Sequence, residues 1–244
     1  MSNSNLAKVA DLSATLPSIQ LHNEGEDPPK NEDTGPFSKF LRTLRFNKVT
    51  AVTIEAGHIY ADQLPGQEQQ EGFVVASGIC RKLATECIDT RRIVFVDDYN
   101  SVRNGFSVEG YLEFATNCGF APDNVFWESE MAESAQALID KLSESGHLEN
   151  GEGQELLTVK QSIKLRHSDG RLTCAVLDTA FHLERFRQFG YNITVLPTSS
   201  DQFPGNDYQK QQRNLRRLLR LLGNDQSPLA TVFFDSKRNL NIVH

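Results

Sequence analysis

Three short segments of this sequence set acids beside groups that could use them. The first, Glu55-Ala56-Gly57-His58-Ile59-Tyr60, brings a carboxylate, an imidazole and a phenol close together. Glu55 could take a proton or bind an ammonium, and Gly57 would let the backbone approach a ligand. The second is the pair Asp97-Asp98. One aspartate there can cap a turn while the other binds a cation or a guanidinium. The third, Trp127-Glu128-Ser129-Glu130, places an aromatic wall beside carboxylates and suits a cationic side chain. Each has a plainer reading as well: a strand-to-helix loop, a turn cap, or a core tryptophan before an acidic helix start.

Two further patterns are helical. Asp178 and His182 lie four apart and share a face; a surface pair or a polar core contact is the simplest account. Lys210, Arg213, Arg217 and Arg220 follow at steps of three and four, opposite Leu215, Leu218, Leu219 and Leu222. That basic stripe is either a solvated helix back or a contact for a phosphate backbone.

Each acidic segment needs an element to position it. Residues 49–54 and 93–96 are β-branched or aromatic runs, and a helical pattern about twenty residues long separates them. A strand–helix–strand crossover of that size joins parallel strands. Ligands of such folds sit beyond the carboxyl ends of the strands, where Glu55 and Asp97 fall if the first strand stops near Glu55. Farther along, 107–117, 130–144, 172–188 and 206–222 read as helices. Residues 124–128, 192–197 and 230–235 read as strands, and 240–243 as a short last one. Residues 37–46 form an amphipathic helix with Lys39, Arg42 and Arg45 outward, Ser129 is placed to cap the helix at 130, and 156–165 fits strand or helix equally. The alternation predicts an α/β fold: a Rossmann-like, mostly parallel sheet with helices on both faces, in a single domain over 36–244. Residues 1–35 are polar and charged, and read as a disordered or loosely docked tail.

Composition narrows the function. The 244 residues carry a net charge of −7, which argues against a mainly basic nucleic-acid binder but leaves room for a local basic face. No apolar run approaches the ~18 residues of a membrane span. Cys80 and Cys87, seven apart, share the wide apolar stripe of the helix between the first two strands and read as small core residues; with Cys118 and Cys174 they form no C-x-x-C pair, and no secretory signal is visible, so a cytoplasmic protein is expected. Phosphate-loop, dinucleotide, nucleophile-elbow and zinc-protease motifs are missing.

At the first hinge the chain resembles cyclodipeptide synthases, which are related to class I aminoacyl-tRNA synthetase catalytic domains and join two aminoacyl groups taken from charged tRNAs. Ile54-Glu55-Ala56-Gly57-His58-Ile59-Tyr60 is similar to the Ile-Ser-Ala-Gly-Asn-Ser-Tyr-like segment of the bacterial family, and Val94-Phe95-Val96-Asp97 to its Val-Tyr-Val-Asp-like strand. The bacterial nucleophilic serine falls on Glu55. The fungal, arginine-containing group looks closer, because Asp97-Asp98 match the start of its Asp-Asp-x-x-Glu motif, with Ser101 at the last position.

The resemblance implies a tRNA-dependent synthase that forms cyclo(Arg-Xaa) from arginyl-tRNA and a second aminoacyl-tRNA. It needs no cofactor and no metal. Glu55, His58, Tyr60 and Asp97 would do the chemistry: Glu55 or His58 as base, Tyr60 as a weak nucleophile if an acyl-enzyme forms. Gly57, Asp98, Trp127, Glu128 and Glu130 would bind the substrate, and Lys210, Arg213, Arg217 and Arg220 the tRNA. Two alternatives stand beside it. One is a transferase or hydrolase for a small cationic or nucleotide substrate; the other is a non-catalytic tRNA-binding domain.

Overall fold

The computed structural model describes residues 35–60, 66–99, 108–151, 153–156, 162–197, 206–224, 229–234 and 240–243. The expected tail lies outside them, apart from Gly35.

Helix α1, Pro36–Phe46, opens with proline in its first turn, where the missing N–H costs nothing. Its apolar stripe is fully used: Phe37, Phe40 and Leu44 are buried. Strand β1 spans Ala51–Tyr60, α2 Gln67–Thr85, β2 Asp89–Asp97, α3 Val108–Asn117 and β3 Asn124–Trp127. A 3-10 turn at Glu128–Met131 then leads into α4, Ala132–Glu144. Next come the short strands β4 (Leu148–Gly151), β5 (Gly153–Leu156) and β6 (Ile163–Lys164). Helix α5 is Cys174–Phe189, β7 Tyr191–Pro197, α6 Asn206–Leu221, β8 Leu229–Phe234 and β9 Leu240–Val243.

The main sheet has the order β3-β2-β1-β7-β8-β9. Every pairing from β3 to β8 is parallel, and β9 adds antiparallel to β8. Apolar clusters cover both faces, so the strands read as nearly continuous hydrophobic runs. This is the Rossmann-like α/β fold expected from the sequence. Its strand order reverses between β1 and β7, which makes that boundary the topological switch point.

Four local expectations change. β1 does not stop near Glu55 but runs on to Tyr60, with a register shift between Glu55 and His58. Ala56-Gly57 thus form a bulge inside a strand, a place where glycine is as much at home as in a hinge. Ser129 does not cap α4, because the chain first makes the 3-10 turn. Residues 148–151, 153–156 and 163–164 contribute a three-stranded antiparallel sheet, too short and too polar to announce itself by alternation. Cys87 leaves the helical stripe it was expected to share with Cys80, since α2 ends at Thr85 and Cys87 is exposed.

Candidate active site

Alternation along the central strands decides which groups meet. In β2, Val94 and Val96 enter one apolar cluster while Ile93 and Phe95 enter the other. Asp97 comes next on the Phe95 side. β3 keeps step, with Phe95 beside Phe126 and Val96 beside Trp127, so Glu128 follows on the same side as Asp97. In β1, Val52, Ile54 and Ala56 take the first face. Thr53 and Glu55 therefore turn to the second, where α5 lies. Phe181 of α5 fixes that helix on the sheet by stacking on Phe95, with ring centroids 4.1 Å apart and planes 3° from parallel.

Asp97 and Glu128 are both buried and hydrogen-bonded to each other through their side chains. Two carboxylates so close cannot both ionise cheaply. Burial, reinforced by Asp97 and then by Asp178, pushes the Glu128 carboxyl up to about 9. Glu128 therefore keeps its proton at neutral pH and shares it with Asp97 through their hydrogen bond. Cys174, at the start of α5, completes the group, with its sulfur and one oxygen of each acid within 4.8 Å of one another. Burial and then the carboxylates of Asp178, Glu128 and Asp97 push its thiol up to about 12. By donor type the trio could hold a divalent cation such as zinc, which would have to displace protons from both Glu128 and Cys174. Asp98 does something else: its two oxygens accept the backbone N–H and the hydroxyl of Ser129, each at 2.8 Å, and so tie the 3-10 turn to the end of β2.

Deeper under the sheet lies a second polar group. Arg185 is buried and gives Nη1–H to Glu55 Oε2 at 2.6 Å. It also donates to Thr194 Oγ1, Thr53 Oγ1 and the Ile193 carbonyl. Thr194 gives its own hydroxyl proton to Glu55 Oε2 at 3.0 Å. One turn back on α5, the His182 ring faces the Asn192 amide at 3.2 Å. Burial first, then the charges of Arg185 and Arg216, lower the His182 pKa to about 3. Asp178, another turn back, accepts a hydrogen bond from Gln211 of α6. Glu55, Asp178, His182, Arg185 and Gln211 line one cavity beside the switch point.

The structure therefore brings Asp97 and Glu128 together and sets Glu55 on the same face, held by a guanidinium of the chain itself. His58 and Tyr60 continue β1 past the bulge at Gly57, and Tyr60 pairs in register with Asp97. Trp127 is half-buried against the opposite apolar cluster, and Glu130 is exposed on the 3-10 turn. On α6, Lys210, Arg213 and Arg220 are exposed and Arg217 half-exposed, while Leu215, Leu218, Leu219 and Leu222 are buried. Cys174 and Arg185 were not singled out from the sequence. Their one signal is spacing: Cys174, Asp178, His182 and Arg185 recur at four, four and three along α5.

No protein-family model matches the sequence, and no curated protein matches it. Solved structures do. The fold is similar to that of a Campylobacter jejuni protein described as an arginyl-tRNA synthetase, with a TM-score of 0.56 and 11% identity over 81% of this chain and 59% of that one. It is similar also to arginyl-tRNA synthetase from Plasmodium falciparum, with a TM-score of 0.55 and 15% identity over 76% of this chain and 43% of that one. The chain thus spans less than two thirds of either neighbour. At such identities the likeness is one of fold: this is an α/β chain with the architecture found in arginyl-tRNA synthetases. No helix among the described residues is long and apolar enough to cross a membrane.

Proposed function

We propose that this chain is a tRNA-dependent aminoacyl transferase, a cyclodipeptide synthase that takes arginine from arginyl-tRNA and a second residue from another aminoacyl-tRNA. The observation that carries the reading is the buried Asp97–Glu128 pair at adjacent strand ends. A guanidinium is planar, permanently charged and matched to paired carboxylates. On entering, it takes the place of the proton the two acids share, and that proton leaves to solvent. Trp127 and Asp98 sit beside this pair in sequence; Asp98 holds its turn in place.

The chemistry asks little of the protein. The α-amine of one aminoacyl group attacks the ester carbonyl of the other, an amide forms, and a tRNA hydroxyl leaves; a second aminolysis closes the ring and releases the second tRNA. Each step needs alignment and a base for the ammonium proton. Glu55 already accepts hydrogen bonds from Arg185 and Thr194. His58 therefore takes the proton, and Glu55 anchors Arg185. Tyr60, in register with Asp97, is the hydroxyl on which an acyl-enzyme would form. Lys210, Arg213, Arg217 and Arg220 supply the phosphate contacts.

The test is expression of the full chain in a bacterium, with diketopiperazines sought in the medium by mass spectrometry. Cyclo(Arg-Xaa) is expected from the wild type and is absent with Asp97→Asn. Soluble protein without any arginine-containing diketopiperazine overturns the reading.

A further inference from the structure

Asp97, Glu128 and Cys174 come from three different elements, and local hydrogen bonds hold two of them in place. Asp97 is the last residue of β2, Glu128 follows β3, and Cys174 opens α5. The two hydrogen bonds from Ser129 to Asp98 fix the turn that carries Glu128. On the other side, the Thr173 hydroxyl donates to the Lys164 carbonyl at 2.8 Å and the Thr173 N–H to the Leu165 carbonyl at 3.1 Å. Those bonds tie the residue before Cys174 to β6 and to the residue that follows it.

Glu128 has an oxygen to spare. The residue is 1% exposed, and the Tyr99 N–H serves one of its oxygens. No N–H or hydroxyl of the described residues reaches the other, Oε2. Only the proton held jointly with Asp97 stands between the two acids. A proton bridges two atoms, whereas a metal ion can bond to all three donors at once. The donor atoms lie within 4.8 Å of one another. Around tetrahedral zinc, with bonds of about 2.0 Å to oxygen and about 2.3 Å to sulfur, they would stand about 3.5 Å apart. The side chains then close by on the order of 1 Å, a small rotation.

A thiolate beside two carboxylates selects a borderline ion such as zinc or cobalt over magnesium and calcium, which keep to oxygen. The N-terminus of α5 favours the thiolate form of Cys174. Two positive charges enter with the ion, and the protons of Glu128 and Cys174 leave to solvent, so the buried site keeps its net charge. Cys174 is half-buried, and the ion enters past it to the sealed acids behind. Three protein ligands leave a fourth position for water.

We propose that Asp97, Glu128 and Cys174 form a site for one zinc ion, which takes the place between the acids that a guanidinium would occupy. Zinc is then a competitor of the arginyl side chain. The competition rests on the function proposed above; the site itself does not.

The full chain, stripped of metal by a chelator, is titrated with zinc against a chromophoric chelator and, separately, with cobalt. One ion per chain is expected, and cobalt should show the near-ultraviolet band of a thiolate ligand. Cys174→Ser should abolish that band and weaken zinc binding by at least about tenfold, the least that loss of even an outer-shell partner costs. Glu128→Gln should weaken it as much while the far-ultraviolet dichroism stays that of the wild type. Cys87→Ser, which removes an exposed thiol, should change nothing. Zinc bound equally by wild type, Cys174→Ser and Glu128→Gln, or no zinc bound by the wild type, overturns the site. Diketopiperazine synthesis from charged tRNA reads the competition: added zinc should stop the wild type and spare Cys174→Ser, each compared with its own rate without zinc. Zinc bound as above but without effect on the wild-type rate overturns the competition. Such a zinc site in a chain that makes no diketopiperazine would remove the synthase reading and leave the metal assignment standing.

Discussion

Glu55 on β1 accepts a hydrogen bond from Arg185 on α5 at 2.6 Å, and both side chains are sealed from solvent. The pair spans 130 residues of sequence and locks the helix that carries Cys174, Asp178 and His182 onto the central strand. Arg185→Met would leave a buried carboxylate without this counter-charge and should cost about 3–5 kcal/mol. Adding Glu55→Leu should restore most of it, because a well-packed apolar pair often replaces a buried ion pair at little cost. Urea denaturation of the two variants measures this; a loss below about 1 kcal/mol in Arg185→Met would mean the pair is not holding α5.

The Asp97–Glu128 pair predicts a pH dependence of definite sign. The Glu128 carboxyl stays protonated to about 9 in the folded chain and ionises near its ordinary value of 4.5 when unfolded. Between those values the folded state binds more protons, so this group's contribution to stability falls as pH rises through that window. Glu128→Gln, neutral and of the same shape, should gain on the wild type by up to about 1.4 kcal/mol per pH unit between 5 and 9, or about 2–4 °C in Tm for each kcal/mol. Parallel stability curves would show that no proton is shared.

His182 predicts the opposite slope at acid pH. Its folded pKa, about 3, lies below the ordinary value of 6.5. The unfolded chain therefore binds more protons between 6.5 and 3, and stability is lost as pH falls through that range. Arg185 and Arg216 oppose protonation, while Glu55 and Asp178 share the same cavity. His182→Asn should flatten the acid limb by roughly one proton, read from chemical denaturation at pH 4, 5 and 6. A wild-type ring that titrates near 6.5 by NMR would contradict this.

Reversing charge at two positions of the basic stripe, Arg213→Glu with Arg217→Glu, should weaken tRNA binding and reduce the slope of log affinity against log salt by about 2. Unfolding free energy should stay within about 0.5 kcal/mol, since neither residue belongs to the buried leucine seam. Unchanged tRNA affinity would place the tRNA elsewhere or remove it from the account.

Much of this was legible in the residues. Val94-Phe95-Val96 reads as a buried strand, and a parallel crossover places whatever follows it at a crevice, so Asp97 could be singled out. The wide stripe of α2 and the leucine seam of α6 gave their helices plainly. What stayed hidden was partnership. Arg185 sits between Glu184 and Arg187, which pair with each other on the surface, and only its spacing from His182, Asp178 and Cys174 sets the buried arginine apart from its exposed neighbours. Its partner, Glu55, stands on a strand 130 residues away. Gly57 misled for a related reason: a glycine that bulges a strand and one that ends it look alike until the neighbouring strand is known.

The most direct trial of the central claim uses purified protein, tRNA charged with labelled arginine, and a pool of tRNAs charged with the other amino acids. With the wild type, label should move from tRNA into a ring-closed dipeptide that keeps the arginine guanidinium but has no free amine or carboxylate; with Asp97→Asn or Glu128→Gln it should stay on tRNA. Label that stays on tRNA with the wild type, or is released only as free arginine, would contradict it.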